Sequence, residues 1–155
     1  MNRKLFATLL MGFALAGDSV HYLHAALPQA TATPTDSLYK RLGGYDALSA
    51  VTDDFIGLLA TDPQLGKFFI GLNDDSKKRV RQHVIDFLCA NTGGPCLYLG
   101  QDMKTAHKGL HITEDEWTVS ANHLVETMNK FKVPAKEQSE VLNAINGLKG
   151  QIVGQ

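Results

Sequence analysis

Apolar residues recur every three or four positions through the chain beyond residue 36, and no stretch sustains the two-residue alternation of a half-buried strand. That pattern predicts an all-helical domain. Gly43-Gly44 closes a short first helix, after which Leu48, Val51, Phe55, Leu58 and Leu59 mark one face of a helix over 46–60. Asp62-Pro63 stops it, because proline disfavours helical backbone in the residue before it. A helical turn over 64–69 closes at Gly71, and a longer helix over 74–91 presents Val80, Val84, Phe87 and Leu88 before Gly93-Gly94-Pro95 ends it.

Residues 102–110 leave room for only a couple of turns. Thr113, with Glu116 three residues on, has the form of a capping box and predicts a new helix whose buried stripe is Trp117, Ala121, Leu124, Met128 and Phe131. Pro134 opens a last helix lined by Val141, Leu142, Ile145, Leu148 and Ile152. Most of these apolar positions are core.

Composition narrows the picture. With 155 residues, 44% of them hydrophobic, the chain suits one folding unit with a real core. Fifteen Lys and Arg against sixteen Asp and Glu leave no strong field to hold nucleic acid or an anionic membrane, so a small neutral ligand fits better. There is no nucleophile with an associated base, no phosphate-binding glycine loop and no catalytic carboxylate pair, which leaves a hydrolase or nucleotide enzyme without support.

The N-terminus follows a different pattern. Basic Asn2-Arg3-Lys4 precedes an uncharged apolar run over 5–16, the form of an export signal. Such a run spans about 18 Å as a helix against a hydrocarbon core of about 30 Å, which disfavours a transmembrane helix. Ala14 and Ala16 offer an A-x-A cleavage site, with Ala25 or Ala26 as alternatives; an uncleaved anchor and a core helix are the competing readings. Residues 27–35, rich in Ala, Thr and Pro, read as a linker. The expected organisation is a signal peptide or anchor at 1–26, a linker at 27–35 and a domain at 36–155, in a protein exported to the periplasm or secreted. Export permits Cys89 and Cys96 to persist as a disulfide, and Gly93-Gly94-Pro95 between them lets the chain turn back; two buried thiols are the alternative.

Of six histidines, His21 and His24 precede the domain. His107 has an apolar setting, with Met103 one turn earlier. His107 and His111 are four apart, yet no carboxylate or cysteine completes a zinc set and the helix ends near Gly109. His111 is expected at the edge of the site or in solvent, and His123 on the next helix is expected to be exposed.

The run Gly100-Gln101-Asp102-Met103-Lys104-Thr105-Ala106-His107-Lys108-Gly109-Leu110, followed by Ile112-Thr113, resembles the proximal segment of group 1 truncated haemoglobins. The resemblance extends over almost the whole domain: Leu38-Tyr39-Lys40-Arg41-Leu42-Gly43-Gly44, Asp54-Phe55, Phe68-Phe69 and Gly93-Gly94-Pro95 occur in the same order at nearly fixed spacing. It implies a two-over-two sandwich of helices around haem b, iron protoporphyrin IX, with His107 as the proximal iron ligand. Phe69 is similar to the phenylalanine that packs on the haem face. His83 falls where some members carry a sixth iron ligand or a hydrogen-bond donor to a bound diatomic; its competing reading is a solvent-facing residue beside Arg79, Arg81 and Gln82.

The chain also departs from the family. Ile56 stands where a tyrosine commonly donates to bound oxygen, and Val80 and Val84 stand where polar distal residues often occur, so the pocket is expected to be unusually apolar. Residues 70–78 run a few positions longer than in close relatives. Phe87, Met103 and Trp117 complete the expected cofactor contacts, and Lys104 and Lys108 are candidate partners for the haem propionates or simply solvated. The function implied is binding of oxygen, nitric oxide or carbon monoxide by a monomer, with nitric oxide oxidation or peroxide chemistry as enzymatic extensions that need an electron donor. A six-coordinate electron-transfer protein ligated by His83 and His107 is the alternative, and a cofactor-free helical adaptor the third reading.

Overall fold

The computed structural model describes residues 36–155. The export segment at 1–26, the linker at 27–35, and His21 and His24 within them lie outside the described residues.

Among the described residues six helices follow one another: α1 Leu38–Arg41, α2 Gly44–Thr61, α3 Asp74–Asn91, α4 Met103–His107, α5 Glu114–Lys130 and α6 Ala135–Asn146. Two 3-10 turns, Gly66–Phe69 and Lys149–Gln151, are added between and after them. α2 packs on α3 and on α5, α5 packs on α6, and α1 bridges α2 and α6. Two helix pairs, α2 with α3 and α5 with α6, thus meet through α2 and α5. Leu124, Met128 and Val141 form the buried centre of this contact, with Leu38, Leu42, Phe55 and Ile145 packed around them.

Each helix end has a local cause. Gly43 takes φ 97°, and a Cβ there would stand 2.9 Å from the Ala47 side chain, so only glycine turns the chain this sharply between α1 and α2. The turn starts α2 at Gly44 rather than Asp46. After α2, the Asp62 carboxylate accepts the N–H groups of Gln64 and Leu65 at 2.8 and 3.0 Å, which holds those residues in a turn and delays the next helical segment to Gly66. α3 runs over the span expected. It ends in a Schellman motif: the Gly94 N–H reaches the Cys89 carbonyl at 2.8 Å and the Gly93 N–H that of Ala90 at 3.3 Å. α5 begins with the expected capping box, in which the Thr113 hydroxyl accepts from the Glu116 N–H and the Glu116 carboxylate from the Thr113 N–H.

Three expectations are corrected. The last helix stops at Asn146, so Leu148 and Ile152 reach the interior from the 3-10 turn behind Gly147 and not from a continuous helical face. Phe131, expected in the buried stripe of α5, is its exposed C-cap residue, while α3 buries Ile85 and Cys89 on a second face beside the cavity-lining Val80, Val84, Phe87 and Leu88. His123 is half-buried: its Nε2 lies 3.0 Å from Asp62 Oδ2 and its Nδ1 3.4 Å from Glu126 Oε2, which draws the ring against the turn after α2.

The cysteines are joined. Cys89 and Cys96 form a disulfide with Cα atoms 5.7 Å apart. Gly94 lies inside the closed loop, where a Cβ would come within 2.6 Å of both Cys89 Sγ and the Tyr39 ring. At the other end of the domain, the His111 N–H donates to the Gln155 carbonyl at 2.8 Å and the Gly154 N–H to the Ile112 carbonyl at 2.9 Å, pinning residues 111–112 to residues 154–155. No helix among the described residues is long and apolar enough to cross a membrane.

Candidate functional site

Between the helix pairs lies an apolar cavity of about 630 Å³, within the size range of small-molecule and cofactor sites. All nine residues singled out from the sequence contribute to its wall: Ile56 from α2, Phe69 from the first 3-10 turn, Val80, His83, Val84 and Phe87 from α3, Met103 and His107 from α4, and Trp117 from α5. Neither His111 nor His123 is among its lining residues.

α4 is short, and its N-cap holds it in place. Asp102 accepts from the Thr105 N–H at 3.0 Å through Oδ1 and from the Thr105 hydroxyl at 2.7 Å through Oδ2. These bonds, the Thr105 hydroxyl foremost, keep the Asp102 carboxyl below the usual carboxylate range. One turn later His107 ends the helix, with its Nδ1 2.7 Å from the Met103 carbonyl oxygen. A carbonyl only accepts, so Nδ1 carries a proton, and in the neutral imidazole the lone pair then belongs to Nε2. Gly109 then takes φ 84° and turns the chain away, so α4 does not extend to Leu110.

The wall is not wholly apolar. Glu116, 6% exposed, contributes to it while completing the capping box and pairing with Lys67. The Lys67 ammonium first, and the Thr113 N–H next, hold its carboxyl low, so it is ionised and already satisfied. His83 is exposed at the rim.

Tyr98 was not foreseen from the sequence. It lines the cavity and meets Phe87 edge-on at 5.2 Å and His83 at 6.2 Å between ring centroids. The segment that carries it has no helical period, and only pairing of the two cysteines would have drawn it to the end of α3. Among the described residues no group of three or more His, Cys, Asp or Glu is arranged to hold a metal ion. A metal here would therefore have one imidazole from α4 and need its remaining positions filled by a ligand of its own.

Comparison with known proteins agrees with this architecture. The bacterial-like globin family matches residues 37–153. The group 1 truncated haemoglobin GlbN of Mycolicibacterium paratuberculosis is 36% identical over 116 residues, covering 75% of this chain and 83% of that protein. GlbN of a Nostoc species is 32% identical over 119 residues, covering 77% and 98%. Among solved structures, the truncated haemoglobin of Tetrahymena pyriformis in its Fe(III) form superposes with a TM-score of 0.70 at 26% identity, over 77% of this chain and all of that one. THB1 of Chlamydomonas reinhardtii gives a TM-score of 0.65 at 26% identity, over 79% of this chain and all of that one. A family match that spans nearly the whole described domain, on an all-helical fold of the same two-over-two form, makes this chain a member of the bacterial-like globins and, among them, of the group 1 truncated haemoglobins.

Proposed function

We propose that the cavity holds haem b through His107 and that the protein binds oxygen, nitric oxide or carbon monoxide on the opposite side. The observation that carries this reading is the His107 imidazole on a largely apolar wall with its Nδ1–H given to the Met103 carbonyl, 2.7 Å away. That bond fixes the ring's tautomer and raises its basicity as a donor. A porphyrin would supply four nitrogens of its own, so one protein imidazole would suffice, whereas a structural zinc site needs about four protein ligands. Bound haem supplies an iron that coordinates a diatomic gas reversibly. The chain's own residues do the rest. Phe69, Phe87, Met103 and Trp117 offer apolar surface to the flat cofactor, and exposed Lys104 and Lys108 are the nearby cations available to its carboxylates.

Ile56, Val80 and Val84 make the ligand side poor in hydrogen-bond donors. A net hydrogen bond of about 0.5 to 1.5 kcal/mol is therefore missing there, and ligand release is faster than it would be with a tyrosine at position 56. Nitric oxide oxidation by this protein would depend on His83 for that hydrogen bond and on an external electron donor. The presence of His83 in the same cavity wall as His107 favours a second reading, an electron-transfer or peroxide-reactive protein ligated by both imidazoles. The Cys89–Cys96 disulfide supports export to an oxidising compartment, and we expect a monomer there.

The test is a haemin titration of the purified chain. A Soret band that saturates at one equivalent is expected, and a His107→Gly variant should lose the cofactor or regain its spectrum only with added imidazole. A colourless wild type, or an unchanged His107→Gly spectrum, would refute the reading.

A further inference from the structure

We infer that Tyr98 is a positioning residue for His83: it holds that imidazole at the cavity rim and so keeps the ligand side of the site open. The inference rests on the haem reading above, and the outcomes below tell the two apart.

The Tyr98 ring is fixed from three directions. Two residues before it, Cys96 is tied to Cys89 at the end of α3. Its hydroxyl donates to the Gln101 carbonyl at 2.6 Å. Beneath the ring lies Gly100, where a Cβ would be 2.3 Å from the Tyr98 hydroxyl oxygen, so the aromatic ring occupies the place of the missing side chain. Held in this way, Tyr98 presents its ring to two residues one helical turn apart on α3. It meets Phe87 at 5.2 Å and 78°, and His83 at 6.2 Å and 80°, both edge-to-face.

His83 in this arrangement is exposed, whereas Val84 beside it on α3 is only partly so. An imidazole that swings toward the middle of the cavity leaves the Tyr98 ring and forfeits the aromatic contact. Such contacts shift a two-state ratio by about two- to tenfold. Tyr98 therefore biases His83 outward by that factor. The disulfide serves to keep the tyrosine at the edge of α3.

The experiment uses the full chain reconstituted with haemin, with the ratio of low-spin bis-imidazole to high-spin ferric signal read by absorption and electron paramagnetic resonance. Tyr98→Leu keeps apolar bulk without the ring; it should raise the ratio about two- to tenfold. Tyr98→Phe, which keeps the ring and loses only its hydroxyl anchor on Gln101, should raise the ratio less than Tyr98→Leu does, and His83→Ala added to Tyr98→Leu should abolish the gain. Gly100→Ala, which displaces the ring while leaving Tyr98 in the sequence, should move the ratio in the same direction and serves where Tyr98→Leu retains no haem. A ratio unchanged or lowered by Tyr98→Leu and by Gly100→Ala, a gain that survives His83→Ala, or a wild type already wholly low-spin overturns the proposal and leaves the haem reading standing. A wild type that takes up no haemin removes both, before any Tyr98 variant is made.

Discussion

His123 Nε2 lies 3.0 Å from Asp62 Oδ2, joining the middle of α5 to the turn that ends α2. The Asp62 carboxylate first, and Glu126 to a lesser degree, raise the histidine above its ordinary 6.5, with partial burial opposing them. The histidine in turn holds Asp62 below its ordinary 3.8. A histidine with a raised folded pKa stabilises fully below its unfolded value and loses that contribution as pH climbs through the folded one; a carboxylate with a lowered pKa stabilises above its unfolded value and fails in acid. The pair is therefore at full strength between pH 3.8 and 6.5. Urea midpoints of wild type and His123→Gln should differ more at about pH 5.5 than at about pH 8.5. Equal differences at the two values would show that the pair does not titrate as described.

Ile56→Tyr places a phenol hydroxyl on the ligand side of the cavity wall, where the Ile56 side chain now offers only hydrocarbon. One net hydrogen bond of about 0.5 to 1.5 kcal/mol should slow oxygen release roughly two- to tenfold. Stopped-flow displacement of oxygen by carbon monoxide measures it, and an unchanged rate would mean that position 56 does not face the ligand.

The disulfide closes a short loop, its cysteines seven residues apart. Chain-entropy arguments give such a cross-link about 2 to 3 kcal/mol. Denaturation with and without reductant should show a loss of that size, and a loss below about 1 kcal/mol would mean that strain in the native loop offsets the entropy.

Lys132 takes φ 55°, its N–H reaching the Asn129 carbonyl at 3.0 Å while the Val133 N–H reaches that of Met128 at 2.9 Å, a helix stop that ordinarily uses glycine. Left-handed backbone costs a side-chain-bearing residue about 1 to 2 kcal/mol, part of which glycine forfeits in unfolded-state entropy. Lys132→Gly should gain about 0.5 to 1 kcal/mol in a urea melt. A loss would point to contacts of the lysine side chain that outweigh the strain.

Much of the site was legible because its residues sit on periodic helices or in a motif with a rigid order. α3 fell on its expected span, the Thr113–Glu116 capping box formed as read, and every candidate wall residue from Ile56 to Trp117 faces one cavity. What escaped depended on partners distant in sequence. His123 owes its burial to Asp62, 61 positions earlier. Tyr98 owes its place to a cysteine pairing that spacing alone left open. Ile85 and Cys89 were passed over because a helix gripped on two sides has two apolar faces, and the sequence pattern marked the one turned to the cavity. The stop at Asn146 was hidden because Leu148 and Ile152 keep a helical rhythm across Gly147, although their backbone has left the helix.

The bridge between residues 111–112 and residues 154–155 gives the far end of the domain a hold on its chemistry. Only four positions separate His107 from His111, so removing Gly154 and Gln155 would release the stretch immediately behind the proposed iron-bound imidazole. Shortening the protein there would be felt as altered cofactor retention rather than as simple fraying, and an affinity tag is better sited elsewhere.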